Sequence, residues 1–332
     1  VATTRFRAFS RVVLLATLGV ILFGAYVRAS GSGAGCGSHW PTCNGEVIPR
    51  PKSIATVIEF THRATSGVIS LLVGAQLVWA LRLFGRGHRV RKAAVWSAVL
   101  LVSEALIGAG LVLFELVAHD ASLARAASIS AHLVNTFLLL GSLTLTGFWA
   151  SDGEGAAPAM RRMPGVTTPI AAALLALVLV GTTGAVTALG DTLFPASSLT
   201  SGMASDFSST AHLFQRLRAV HPALAVLAAG YLVYVAAAAQ ATSARLRGPA
   251  RAVSRLVYLQ LAVGVLNLWL LAPVGTQLLH LLMADLLFIA LVRLGAASLE
   301  IAGDGRRSVR PPTPYAPPGA DGLEPSRVER TL

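Results

Sequence analysis

Eight apolar runs recur along this chain, at residues 12–26, 54–81, 93–114, 128–150, 168–189, 219–240, 256–272 and 277–294. About 20 such residues carry a helix across the hydrocarbon of a bilayer. In lipid every backbone N–H and C=O must find its partner inside the structure, which leaves helices or closed barrels. No barrel-type alternation of polar and apolar residues marks the runs. The chain is therefore expected to be all-α: a polytopic membrane protein with eight transmembrane helices. Composition agrees. The chain is 54% hydrophobic and 13% charged, with a mean hydropathy of +0.67, whereas soluble domains carry about 25% charge.

The net charge of +12 could suit nucleic acid, but its distribution points to a membrane. Arg5, Arg7 and Arg11 form one cluster, and Arg82, Arg86, Arg89, Arg91 and Lys92 the next. Arg161 and Arg162 follow, then Arg245, Arg247, Arg251 and Arg255. The intervening loops hold few cations: Arg28, Arg50, Lys52, Arg125, Arg216 and Arg218. This alternation is the positive-inside pattern. It implies a bacterial-type plasma membrane, both termini cytoplasmic, the bilayer as partner and no nucleic acid. Even-numbered spans then enter from the outer face. The first run is read as an uncleaved helix, because no small-residue cleavage site follows it cleanly. The two cysteines, Cys36 and Cys43, both fall in the first outer loop. That loop faces an oxidising compartment, so a disulfide is expected. A structural staple and a redox-active pair both remain open at this point. His39 lies between them, but two thiols and one imidazole are too few for a closed zinc site.

Landmarks repeat at similar spacing. Gly24 and Gly181 open similar stretches 157 residues apart, His62 and His221 are 159 apart, and His132 and His280 are 148 apart. The expected layout is two pseudo-symmetric four-helix bundles. One half occupies residues 1–150 and the other 168–298, joined by a polar linker over 151–167 that contains Asp152, Gly153, Gly155, Pro158 and Pro164. A disordered cytoplasmic tail is expected over 299–332, rich in proline from Pro311 to Pro318. The second outer loop, 190–210, is rich in Ser and Thr and has no cysteine. Amphipathic stretches in both outer loops would lie along the surface and cover the bundle.

The residues able to do chemistry are few. His62, His132, His221 and His280 each fall early in an even-numbered run. That places two imidazoles per half at similar depth. An ionisable group within a span is costly without a use, and facing imidazoles between helices suit a heme iron. Glu59 precedes His62 by three residues and shares its helix face. Arg63 could hold a propionate or pair with Glu59. In the second half the residue three before His221 is Arg218, so the acid is confined to the first half. Gln277 shares a face with His280 and could donate to it. Glu104 is an intramembrane carboxylate that invites testing. His39, His119 and His212 are weaker candidates in or near outer loops, and His88 reads as a solvated cytoplasmic residue. Two filled axial positions leave an iron no site for oxygen, and no intramembrane cysteine offers a thiolate. Such iron favours electron transfer.

The segment Gly31-Ser-Gly-Ala-Gly-Cys36, followed by Trp40-Pro41-Thr-Cys43-Asn44-Gly45, resembles the first outer loop of the heme A synthases. Glu59-Phe-Thr-His62-Arg63 is similar to their Glu/His-Arg motif, and the stretch Glu104 to Gly108, the His132 helix and Gln277 to Asp285 also fit. The resemblance covers about residues 8–298. It implies an oxidoreductase that converts the C8 methyl of heme O to a formyl group by successive hydroxylations, for terminal oxidase biogenesis. By the same resemblance, His62, His132 and Arg63 would bind the substrate heme, and His221 and His280 a heme b cofactor. Glu59 would be the catalytic carboxylate, and Cys36 with Cys43 the disulfide. Heme O synthase and the terminal oxidase would be partners. The electron acceptor and any homo-oligomer are left open. The chain departs from the family in lacking a second cysteine pair and in placing Pro222 where the first half has Arg63; Arg216 or Arg218 would have to substitute. Two rival functions use the same four histidines: a diheme membrane cytochrome b, or a non-enzymatic heme chaperone. A heme prenyltransferase is disfavoured, because the chain has no aspartate-rich motif for diphosphate and magnesium.

Overall fold

A computed structural model describes residues 1–51, 53–152 and 164–304. Lys52, Arg161, Arg162, most of the expected linker and the proline-rich tail from residue 305 lie outside the described residues. Nine α-helices are described: α1 (Ala2–Ala29), α2 (Ile54–Leu83), α3 (Arg89–Leu113), α4 (Leu123–Trp149), α5 (Pro164–Leu193), α6 (Leu199–Asp206), α7 (Leu213–Thr242), α8 (Arg247–Trp269) and α9 (Val274–Asp304). All but the short α6 are long and apolar enough to cross a membrane, eight spans in total. Among the described residues the one pairing of extended backbone is an isolated bridge between Cys43 and Glu46.

The helices run beyond the apolar runs that announced them. α1 starts at Ala2 and includes Arg5, Arg7 and Arg11, and α9 continues to Asp304, into the stretch expected as tail. Hydropathy ends where the chain leaves hydrocarbon, but an α-helix continues until its backbone bonding is broken. α5 begins at Pro164, inside the expected linker; proline suits the first helical turn because its missing N–H would have no partner there. Polar caps set the other starts. Ser53 accepts from Thr56 N–H at the head of α2, Ser122 from Arg125 N–H at α4, and Ser198 from Ser201 N–H at α6. His88 corrects one expectation. It is buried, caps α3 by accepting from Val90 N–H, and stacks on Phe84 with ring centroids 4.7 Å apart. The tight α2–α3 connection folds it inward rather than into solvent.

Packing shows the two halves. α1, α2, α3 and α4 close a ring in which each helix touches the next and α4 returns to α1. α5, α7, α8 and α9 close the same ring. The rings meet through α4 against α5 and α9, and through α1 against α9. α4 is the interior helix: half of its most apolar window is buried (50%), against 11% for α3 and for α8. Phe137 of α4 stacks on Phe288 of α9 at 4.7 Å. Gly181 makes room for that ring, since a Cβ there would lie 2.7 Å from Phe137 Cε2. A second tie is polar. Arg28, at the end of α1, donates to Ala188 O at 2.8 Å, to Thr192 Oγ1 at 2.9 Å and to Gln277 Oε1 at 2.9 Å. It thereby connects the first half to α5 and α9 of the second.

Candidate functional site

Each of the four spaced histidines packs its ring against a glycine on a neighbouring helix. A Cβ added at Gly24 of α1 would lie 2.9 Å from His62 Cε1, and one at Gly184 of α5 2.9 Å from His221 Cε1. At Gly264 of α8 it would lie 3.0 Å from His280 Cε1, and at Gly108 of α3 4.0 Å from His132 Nε2. The close contact therefore occurs at three of the four rings, while Gly108 is only in ordinary van der Waals reach of His132. At Gly24, Gly184 and Gly264 only an absent side chain lets the imidazole lie against the opposite backbone. His62, His132, His221 and His280 all line one continuous, largely apolar cavity of about 1240 Å³. That exceeds the roughly 300–1,000 Å³ of an ordinary small-molecule pocket.

The His221 and His280 rings face each other with centroids 6.4 Å apart and planes at 88°. Two imidazoles on one metal, at about 2 Å per bond, place their centroids roughly 6 Å apart. Among the described residues no group of three or more His, Cys, Asp or Glu is placed to hold a bare metal ion. Two facing imidazoles suffice for an iron that brings four ring nitrogens of its own. The residues present therefore fit a heme better than a simple ion.

The surroundings of the pairs differ. In the first half, Glu59 lines the cavity and is 3% exposed. Its Oε1 pairs with Arg63 Nη2 at 2.5 Å, and its Oε2 accepts from Cys36 N–H at 2.8 Å. Arg63 also donates to His39 O and Thr42 O, each at 2.6 Å. The anticipated pairing of Arg63 with Glu59 is present, and the guanidinium also holds the loop between α1 and α2. Thr56 Oγ1 adds a bond to Gly35 O at 2.8 Å. The loop is closed by the Cys36–Cys43 disulfide, whose residues are 0% and 1% exposed. Asn44 and Gly45, with φ of 54° and 85°, form a tight turn between Cys43 and Glu46. Asn-Gly is the favoured pair for such a turn. Trp40 and Pro41 of this loop line the outer part of the cavity.

In the second half Arg218 performs the clamping. It donates to Asp206 Oδ1 at 2.5 Å from Nη2 and at 3.0 Å from Nε, to Phe194 O at 2.9 Å, and approaches Asp191 at 3.4 Å. It thus fastens the end of α6, which lines the cavity in this half; the first loop has a short 3-10 turn, Ser32–Ala34. Arg216 is exposed and donates to Ser209 O. Gln277 corrects a further expectation: it bonds Arg28 and Ala272 O rather than His280. Gln260 of α8 takes that place, with its Nε2 3.3 Å from His280 Nε2. The helix turn that separates Gln277 from His280 directs the amide outward to Arg28. His221 Nδ1 meets Thr183 Oγ1 at 3.1 Å. Glu104, singled out in the sequence only as an unusual acid, lies 3.1 Å from His132 Nδ1. His39 lies in the loop between α1 and α2, and His212 caps the start of α7.

The model of a cytochrome oxidase assembly protein family matches residues 7–292. A protein of Thermus thermophilus named protoheme IX farnesyltransferase is 45% identical over 301 residues, 90% of this chain and 49% of that protein. Heme A synthases of Alkalihalophilus pseudofirmus and Halalkalibacterium halodurans are each 36% identical, over 110 and 141 residues. Those matches cover 33% and 42% of this chain, and 37% and 45% of the respective relatives. The chain thus spans about half the length, or less, of the curated relatives it matches. With the model match running from α1 through most of α9 and including all four cavity histidines, the chain belongs to the cytochrome oxidase assembly protein family.

Proposed function

We propose that this protein is a heme A synthase, an oxidoreductase that converts the C8 methyl of heme O to a formyl group. The observation that carries the reading is the asymmetry of the cavity. Two similar histidine pairs share it, but the first-half carboxylates that line it, Glu59 and Glu104, stand three residues from His62 and 3.1 Å from His132 Nδ1, whereas those of the second half, Asp191 and Asp206, are tied to Arg218. An electron carrier has little use for acids at one heme alone. In this reading residues 1–150 form the substrate half, with His62 and His132 flanking heme O. Residues 168–298 form the cofactor half, with His221 and His280 holding heme b, which supplies a one-electron redox centre when bound. Both termini would be cytoplasmic in a bacterial plasma membrane.

Glu59 is placed to act on the substrate rim. Its two bonds occupy two of about four acceptor positions on a carboxylate, so it retains capacity toward the cavity. It can stabilise positive charge on the oxidised methyl carbon or take the proton of the attacking water. Two hydroxylations, each adding a water oxygen with loss of two electrons and two protons, would yield a geminal diol, which loses water to leave the formyl group; the four electrons would pass through the second-half heme to an external electron acceptor. Arg63 holds Glu59 in position, and the disulfide loop covers that end of the cavity and limits water. The farnesyltransferase name belongs to a relative of which this chain matches only 49%. This chain carries no aspartate-rich diphosphate motif, and a farnesylated heme is the substrate our reading needs. A farnesyl-transfer activity in the unmatched half of that relative would be the preceding reaction.

The direct test is co-expression with a heme O synthase in a host that lacks heme A, followed by chromatography and mass analysis of extracted hemes. Heme A, or its hydroxylated precursor, is expected. Bound heme b beside unchanged heme O, at good expression, would assign the protein to electron transfer or heme handling instead.

The Gly–His contacts make a separate prediction. Gly184→Val or Gly264→Val would drive a side chain into His221 or His280 and should remove one of two hemes per protein. The heme-to-protein ratio and the redox difference spectrum check this. Retention of both hemes would show that the second pair is not a ligand pair.

A further inference from the structure

Glu104 of α3 is held by α4. Thr136 Oγ1 donates to its Oε1, and Asn135 Nδ2 donates to its Oε2 at 2.5 Å. Asn135 is itself braced on Leu100 O at 2.9 Å. His132 Nδ1 lies 3.1 Å from the same Oε1, in a close but non-linear contact. Thr136 Oγ1 also lies 2.9 Å from His132 O, so one hydroxyl links the carboxyl to the backbone of the His132 turn. A carboxyl oxygen beside Nδ1 favours the tautomer with Nδ1–H toward it, which leaves the lone pair on Nε2.

The other three imidazoles have no such partner. His221 Nδ1 meets the neutral hydroxyl of Thr183 at 3.1 Å. The Nδ1 atoms of His62 and His280, like that of His132, are buried without a hydrogen bond among the described residues, but only His132 Nδ1 has a carboxylate oxygen within 4 Å. A carboxylate behind a metal-binding imidazole orients the ring and raises its basicity. Hydrogen bonding behind the axial ligand is one of the levers by which a protein sets heme potential.

We propose that Glu104 is the positioning residue of the first site: it makes His132 the anchored, electron-rich ligand and holds the first iron at a lower reduction potential than the second. The inference rests on the reading of His132 as a heme ligand. Its consequence is directional. An iron made easier to oxidise in the substrate half sends electrons toward the neutral-partnered site in the other half. His62, without an Nδ1 partner, is the more readily displaced ligand of its pair.

The test is a spectroelectrochemical titration of both hemes in the purified protein, its Glu104→Gln variant and its Glu104→Asp variant. Glu104→Gln should raise one midpoint by a factor of about ten or more in the ferrous-to-ferric ratio, ~59 mV for one electron. The other midpoint should stay, and Glu104→Asp should restore most of the shift. If Glu104→Gln loses the first heme, Thr136→Val decides, because it keeps the charge but frees the carboxylate to pivot. A raised midpoint there supports the proposal and an unchanged one overturns it. Unchanged midpoints in a fully loaded Glu104→Gln protein overturn it outright. The readout is the potential of bound heme, so the proposed synthase activity can fail while this result stands. Normal heme A with unchanged potentials would sink the inference and leave the synthase reading intact.

Discussion

Glu59→Gln is expected to lower heme A formation by about 100-fold or more with both hemes still bound. General acid–base groups contribute about 10²–10⁴-fold, and a carboxylate facing developing positive charge contributes on a similar scale. The glutamine substitution separates charge from structure. Its amide oxygen can still accept from Cys36 N–H, which Glu59 Oε2 holds at 2.8 Å. Arg63 keeps its bonds to His39 O and Thr42 O, so the loop stays in place while the negative charge is removed. Glu59→Ala loses both functions and leaves a buried N–H unpaired, at a cost of about 1–3 kcal/mol. Product assay with heme quantification distinguishes the cases. Normal heme A from Glu59→Gln rules out the acid role. Loss of heme along with product would make Glu59 a structural residue.

Gly35→Ala should damage the same site without touching any candidate ligand. A Cβ at Gly35 would overlap the carbonyl of Ala55 and the nitrogen of Thr56, all backbone atoms in the first turn of α2. No side-chain rotation relieves that overlap, so the loop must lift. Lifting breaks Thr56 Oγ1–Gly35 O and Cys36 N–Glu59 Oε2. A neutral bond contributes about 0.5–1.5 kcal/mol and one to a charged group about 1.5–3. Together they are a large share of the stability of a loop of this size. The expected result is roughly tenfold or greater loss of product with the second heme undisturbed. The disulfide should also become far more open to reduction, because Cys36 and Cys43 are buried only while the loop is down. Heme A yield and labelling of the freed thiols by a membrane-impermeant maleimide check both. Wild-type yield together with rapid labelling would show that loop closure is not needed for the reaction.

Much of the architecture was readable because lipid simplifies the problem. A run such as 54–81 needs only its length and hydropathy to be read as a span. The four histidines were visible as expensive residues in apolar surroundings. The roles of polar neighbours were less accessible. Glu104 and His132 are 28 residues apart on different helices, and nothing local announces their contact. Gln277 had the right spacing on its own helix to reach His280, yet Arg28, 249 residues distant, claims it. His88 had the composition of a solvated residue and is buried at a helix cap.

The sequence alone therefore determined the eight spans, the duplicated layout and the four imidazoles, because each follows from the solvation cost of a residue or run in hydrocarbon. Tertiary structure alone decided what surrounds each imidazole. It set Glu104 behind His132 and Thr183 behind His221, pressed a glycine against three of the four rings, and used Arg63 and Arg218 to close one end of the cavity. The reason is physical. Hydropathy is a property of a segment, whereas a hydrogen-bond partner depends on the rotation and depth of one helix against another. Those are fixed by close packing such as Phe137 on Phe288 beside Gly181.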